Sequence, residues 1–508
     1  MKALEELVNL FEKSRLVRNE LWPTILAPQS MMADLYHSIA DGSVHTEEDV
    51  RQKLFPDDPD ALRFNRVKNR LKERLTDVVF LLDFNRWDGP ERQKSYYECL
   101  KKWSAAMILT AKNSKAAAVE LQEKVLKQAI HFEFTDLILQ ALSSLKLHYG
   151  SIEGDVKKFE HYRGLYNHYR QVWLLENEAE DLYTLLVSRY VASRGLKEDM
   201  TAMARDYYDQ IKDALTVYPS FRLHLCGRLL ELMVHSSEND YRKTAEVCEN
   251  AITFFEQKPY ESHLPLQVFY YQLIVCYVQL RSFEQGAAIM QKYEQIFEPG
   301  SFNWFKLQEL FFMLAMHTGN YNEACVTYQK TTAHARFSGL PDSIQEIWRI
   351  FEAYSHYLLL VGKATGSGQE GSFRVSRFLN EIPQYSKDKQ GMNIPILIAQ
   401  ILFMFADGKY GKSIDRMEAI EKYCSRYLKR NDTFRSNCFI KMLLQAPEAG
   451  FHREAVKRHA AKWLDMLRTM PIEISNQGYG VEIIPYEELW EMALASLQMK
   501  SVKRAQQK

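Results

Sequence analysis

Residues that interrupt helices are scarce in this chain. Its 508 residues include 15 prolines and 21 glycines, where average usage of about 5% and 7% would supply roughly 25 and 36. Sheets need such residues at their turns, so the shortage favours helices. An excess of one charge is also missing. Lys and Arg total 65 and Asp and Glu total 65, so no whole-molecule field draws the chain to nucleic acid or to a membrane surface. Seven cysteines, an odd number, are spread through helical patterns without a CxxC pair. That argues against a disulfide framework and leaves the thiols as core side chains. The longest apolar runs, such as ILIAQILFMFA at Ile396–Ala406, fall short of the ~18 residues of a membrane span. The opening MKALEELVNLFEK sets acids among its apolar residues and lacks the layout of a signal peptide. These absences lead to the expectation of a cytoplasmic protein with reduced thiols and no membrane segment.

Signatures of catalysis are missing too. The 14 histidines form no HExxH and no His/Cys pair at ligand spacing, so no metal site is expected. There is no GxSxG, and no cysteine stands beside a histidine in a nucleophile signature. His131, Glu133 and Asp136 share a region near a helix break, an ordinary place for polar residues. The acidic pairs Glu5-Glu6, Glu47-Glu48 and Glu487-Glu488 open helices, where they favour the dipole. One motif needs weighing. Ala406–Ser413, ADGKYGKS, fits the relaxed phosphate-loop pattern, in which Lys412 would neutralise phosphates and Ser413 would hold Mg²⁺. The apolar run before it is longer than most strands, and no strand–helix alternation follows. A turn between helices is the favoured reading. No enzyme activity and no cofactor are expected.

Aromatic side chains, by contrast, are plentiful: 28 Tyr, 27 Phe and 8 Trp. Between Pro265 and Thr331 two helix–turn–helix units share one design. VFYYQLIVCYVQL breaks at Arg281-Ser282 and restarts as FEQGAAIMQKYEQIF. WFKLQELFFMLAMHT breaks at Gly319-Asn320 and restarts as YNEACVTYQKTT. Each restart opens on an aromatic, Phe283 or Tyr321, with a small residue three positions on, Gly286 or Ala324. A small residue admits a close helix approach, and the aromatic fills the gap beside it. The device recurs at Tyr241 with Thr244 and at Tyr410 with Ser413. The four aromatics are separated by 42, 38 and 89 residues, the last being two units. A period of about 38 to 44 residues marks an all-α solenoid of stacked antiparallel helix pairs.

Four segments are expected: an N-terminal helical unit at 1–90, divergent helical repeats at 91–258, regular repeats at 259–430, and capping helices with a basic tail at 431–508. In the first, Thr46 and Asp49 read as a capping box. The helix from Leu62 to about Phe84 places Phe64, Val67, Leu71, Leu75, Val78 and Leu82 on one stripe. Arg63, Arg66, Arg70 and Arg74 line its flank. Its end, Val78–Leu82, is apolar nearly all round, as a helix covered by its neighbour would be. In the second segment, helices are expected near 91–111, 114–131, 134–149, 154–176, 178–194, 198–217, 220–236 and 240–257. Later, Trp348–Val361 precedes a Gly/Ser-rich insertion at Gly362–Ser372, and Ile394–Ala406 pairs with Tyr410–Leu428. Residues 471–485 alternate like strands, and a short hairpin and an ordered loop both fit them.

GNYNEA at Gly319–Ala324 is similar to the inter-helix signature of the tetratricopeptide repeat, as is DGKYGKS at 407–413. The chain therefore resembles a divergent member of that superfamily, with a longer period than its ~34 residues. Its organisation also resembles a group of large helical-repeat proteins of Bacteroidetes-type bacteria. The resemblance implies about ten helix pairs whose first helices line a concave groove for a protein or peptide partner. Carrying the family's groove positions over by the turns gives Tyr271 and Gln279, then Lys306, Glu309 and His317, then Arg349, Glu352 and His356. At these positions the 394–406 helix offers Ile398, Leu402 and Phe405. Either the groove has an apolar floor there, or the C-terminal segment covers it. The N-terminal unit also resembles the winged-helix domain of some bacterial regulators. That resemblance implies the alternative of a transcriptional regulator, with Arg63, Arg66, Arg70 and Arg74 contacting DNA. No wing hairpin follows the basic helix, and acids precede it.

Overall fold

A computed structural model describes residues 1–13, 22–44, 46–58, 61–84, 89–193, 197–294, 296–365, 393–407, 433–472 and 481–505, with positions 378, 417 and 420–422. Among the described residues there are 21 helices and no strand. The chain is all-α. It divides into two compact units, one of residues 1–173 with 259–261 and the other of 174–258 with 262–508.

In the first unit, capping chemistry sets the helix starts. α1 (Lys2–Lys13) and the one-turn α2 (Trp22–Ile25) precede α3 (Met31–Ala40). Ser30 Oγ accepts from Ala33 N at 3.2 Å to open α3. Thr46 and Asp49 form the expected box at the start of α4 (Glu47–Leu54), with bonds of 3.1 and 2.9 Å. Such a cap contributes about 1 kcal/mol. α5 (Leu62–Val78) has no side-chain cap at Ala61, but Asp58 Oδ2 accepts from Phe64 N at 2.8 Å. Phe64, Leu71, Leu75 and Val78 are buried, as the stripe requires, in one core with Val8, Phe11, Leu35, Tyr36 and Val50. The apolar end of that helix departs from expectation. The helix ends at Val78 and a 3₁₀ turn follows at Val79–Leu81, with Phe80 and Leu81 off the buried stripe. Phe80 and Leu81 are consequently 54% and 48% exposed.

α6 (Glu91–Ala111), α7 (Lys115–Phe132) and α8 (Thr135–Leu147) pack on one another. After a π-helical turn at His148–Glu153, α9 runs as a single 38-residue helix, Val156–Ser193. Two helices were expected there, divided near residue 177. Nothing between them breaks a helix: there is no Gly or Pro from 165 to 193, and buried Val172, Glu176, Ala179 and Leu186 continue one face across the expected gap.

In the second unit α10 (Lys197–Val217), α11 (Phe221–Ser237), α12 (Tyr241–Glu256) and α13 (His263–Leu280) each pack on the next. α14 (Phe283–Tyr293) and α15 (Phe302–His317) both pack on α13, followed by α16 (Tyr321–Thr332) and α17 (Asp342–Leu360). The turns behave as read. Arg281 adopts φ 53° and Gly319 φ 74°, the left-handed conformation that ends a helix and favours glycine. A Cβ at Gly286 would collide with Leu314 Cδ2, so α14 lies close on α15. Phe283 stacks on Phe311 beside it, ring centroids 6.0 Å apart.

α18 (Asn393–Asp407), α19 (Phe434–Glu448), α20 (Arg453–Arg468) and α21 (Tyr486–Ala505) complete the unit. α21 packs on α18, α19 and α20. Most of the Gly/Ser-rich insertion, the second helix after it except Phe378, the helix at Tyr410–Leu428 except positions 417 and 420–422, and Lys412 and Ser413 of the phosphate-loop-like turn lie outside the described residues. So do 473–480, the middle of the expected hairpin, while 481–485 lead into α21 without a strand. Among the described residues no helix is long and apolar enough to cross a membrane.

Candidate functional site

The eight groove positions fall into two sets. Tyr271, Lys306, Glu352 and His356 are half-buried and Arg349 is exposed. Gln279, Glu309 and His317 are interior side chains, 4%, 7% and 1% exposed. Lys306 Nζ pairs with Glu309 Oε2 at 2.6 Å, one turn along α15. Burial raises the Glu309 carboxyl, and Lys306 opposes it. On α17, burial likewise raises Glu352, whose carboxylate meets Tyr328 of α16 and feels Arg349. Burial lowers the His356 imidazole, whose ring lies 6.1 Å from Phe403 of α18. The accessible part of the expected groove is thus Tyr271, Lys306, Arg349, Glu352 and His356.

His317 leads to a cluster that the sequence reading missed. Its Nε2 lies 2.7 Å from the Glu482 carbonyl oxygen, which can only accept, so Nε2 carries the proton. Nδ1 finds no partner, and burial depresses the imidazole to about 4. The Glu482 side chain, 1% exposed, meets Arg435 of α19, also 1% exposed. Arg435 Nε and Nη2 donate to the two Glu482 oxygens at 2.9 and 2.8 Å. Nη2 donates also to Glu487 Oε2 at 2.8 Å, and Nη1 to the carbonyls of Met470 and Leu467 at 2.7 and 3.4 Å. Each nitrogen of the guanidinium is engaged. Burial raises the Glu482 carboxyl against the pull of Arg435. At Glu487 burial also pushes upward, but the Arg435 bond and charge win and lower it.

The segment around this pair is held along its length. Tyr486 N donates to Glu482 Oε1 at 2.8 Å, and Tyr486 stacks on Phe439 with centroids 4.4 Å apart. Tyr321, the aromatic that opens α16, donates to Glu488 Oε2 at 2.7 Å. Tyr357 of α17 meets Ser496 at 3.4 Å. Ile484, Leu489, Trp490, Ala493 and Leu494 are at most 1% exposed. Ile398, Leu402 and Phe405 of α18, against which α21 packs, are all 0% exposed. These three side chains are therefore interior, on a helix that also packs on α17 and α19. A signal for the cluster was present. Arg435 shares the helical face of Cys438, Phe439, Met442 and Ala446, all buried, and a cation on such a face needs a partner.

On α5 the arrangement is opposite. Arg63, Arg66, Arg70 and Arg74 are all exposed, and none has a partner among the described residues. Lys68 on the same helix pairs with Glu47 at 3.0 Å. Among the described residues no group of three or more His, Cys, Asp or Glu could hold a metal ion. No protein-family model, curated protein or solved structure matches the chain.

Proposed function

We propose that the protein is a non-enzymatic, tetratricopeptide-like scaffold that holds a helical or extended segment of a protein partner on the inner face of stacked helix pairs. In this reading α10 to α20 form a solenoid, supported by the succession of neighbouring helix contacts and by α13 meeting both α14 and α15. The observation that carries the reading is the seat of 481–497. The second unit already grips one helix of its own, with apolar anchors such as Trp490 and Leu494 and with polar ties to His317, Tyr321 and Arg435. That is the chemistry of a helix laid in a groove.

A partner would take the part that α21 leaves open. Lys306 and Arg349 offer cations and Glu352 a carboxylate, with Tyr271 and His356 beside them, so the partner carries both charges. Wild-type protein should capture a partner from native lysate that Lys306→Glu/Arg349→Glu fails to capture, with the variant still folded by circular dichroism at the assay temperature although its melting is lowered by loss of the Glu309 partner. An identical set of captured proteins would remove these residues from the interface, and turnover of a nucleotide by the pure protein would remove the scaffold reading.

A further inference from the structure

We infer that one end of the first unit docks on an anionic lipid bilayer. The docking end is made of the last turns of α6, the α6–α7 turn and the α8–α9 turn. Met107, Ile108, Leu147, Ile152 and Val156 enter the acyl boundary, and Lys112, Lys115, Lys157 and Lys158 meet headgroup phosphates. The inference concerns the first unit and is independent of the proposed scaffold role of the second.

Hydrogen bonds place these turns together. Gln122 of α7 donates to Thr110 of α6 at 3.4 Å, and the adjacent Glu123 accepts from Tyr149, just past α8, at 2.7 Å. The end of α6 and the α8–α9 turn therefore stand level on α7. Exposed apolar side chains gather here. Met107, Ile108, Leu147, Ile152 and Val156 are 44%, 62%, 62%, 55% and 69% exposed. They are five of the eleven large apolar side chains exposed among the described part of residues 1–173. Single exposed apolar residues are ordinary, but a gathered set marks a contact surface. A polypeptide segment is recognised in a groove, whose lining is more covered than these side chains are. They project from turns, as a part that enters a lipid surface must.

Charge selects the kind of surface. The chain as a whole is neutral, yet no acid stands between Glu98 and Glu120, and Lys112 and Lys115 are exposed within that stretch. Lys157 and Lys158 are exposed beside Val156. The acids of this end are engaged within the protein. Glu120 pairs with Lys124 at 2.6 Å and Glu153 with His148 at 2.9 Å. Glu123 also accepts from Tyr162 at 3.3 Å, and Asp155 accepts from the Lys158 amide at 3.0 Å. Lysine suits the place, because its stem lies along apolar surface while its ammonium reaches a headgroup.

The turn is formed in advance. Tyr149 and Tyr162 stack with centroids 5.4 Å apart and planes within 9°. The Asp155 amide donates to the Tyr149 carbonyl at 2.9 Å across the π-helical turn, and Gly154 closes it at φ 72°. Ile152 is thus held out without further ordering, and docking loses little entropy.

The test is co-sedimentation of the full chain with vesicles of phosphatidylcholine, alone or with about 30% phosphatidylserine. Wild type should sediment with the serine-containing vesicles and far less with the others. Each lysine at an anionic surface contributes about fivefold, so Lys112→Ala/Lys115→Ala should weaken binding about 30-fold. Ile108→Ser/Ile152→Ser should weaken it at least about tenfold, with an unchanged circular-dichroism melt. Lys457→Ala/Arg458→Ala, which removes as much exposed charge from α20, should behave as wild type. The inference is overturned by no sedimentation with serine-containing vesicles, by equal sedimentation with both kinds, or by undiminished binding of either tip variant. Labelled polyglutamate bound as tightly as the vesicles would assign the surface to an acidic polypeptide and overturn it equally.

Discussion

Two helices of comparable length are treated very differently by their surroundings. α6, in the first unit, buries only Cys99 and Ala106 of its 21 residues, and its Ile108 is 62% exposed. α15, in the second, buries twelve of sixteen. Neighbours make the difference: α13, α14 and α16 pack on α15, whereas α6 meets α7 and α8. Polar chemistry follows burial. On α15, Gln308 must reach Glu294 at 2.8 Å, Glu309 must take Lys306, and His317 must find the Glu482 carbonyl. The arginines of α5 stay in water and need no partner to fold. A polar residue inside the second unit therefore reports on the fold, and one outside the first unit's core reports on what the surface meets.

The largest expected effect breaks this contrast at arginine. Arg435→Met leaves the Glu482 carboxylate buried without its cation, which should cost about 3–5 kcal/mol in urea denaturation. Arg66→Ala should stay within about 0.5 kcal/mol. Equal effects would mean that Arg435 is not interior. Core substitutions come next: Phe312→Ala on α15 should cost about 3–5 kcal/mol, against about 0.5 or less for Ile108→Ala on α6.

Acid should act through His317. Its folded pKa is about 4, below the ordinary 6.5, because burial disfavours the cation. The folded state then binds fewer protons than the unfolded chain between those values. Stability is fully present above pH 6.5 and falls as pH drops toward 4, by at most about 3 kcal/mol for this group. His317→Gln should flatten part of that decline in denaturation curves measured between pH 7 and 4. His224, depressed to about 4 by the same cause, and His356, lowered by burial, should add to the decline. A decline identical in His317→Gln and wild type would show that His317 does not titrate in this range.

The smallest effect is the most discriminating, because one substitution should change sign. Gly286→Ala drives a methyl into Leu314 and should cost about 1–3 kcal/mol. Gly164→Ala, on α9 with nothing within 4 Å, should stabilise by up to about 1 kcal/mol. Thermal melts of both variants decide it, and two shifts of the same sign would contradict the close α14–α15 approach.

Much of this was legible in the sequence, and what was not has physical reasons. Helix identity and ends were readable because they depend on near neighbours: the Thr46 box, the Arg281 and Gly319 turns, the stripe of α5. The undivided α9 was missed although the chain held no breaker there. The groove positions were placed by turn register, which fixes the face of a helix but not what later covers it. That is why His317 lies beneath the C-terminal segment. Arg435 and Glu482 stand 47 residues apart, and no local period couples them. Only the oddity of a cation on an apolar face announced the site.

The reach of those C-terminal ties has a kinetic consequence. Helices that touch only their chain neighbours can zip and fray piecemeal. The bonds from His317 to Glu482 and from Tyr321 to Glu488 close loops of 165 and 167 residues, which raises contact order and slows the final step of folding. Unravelling of α15 to α20 should accordingly be gated by release of one segment, so that separate probes along them report a single relaxation.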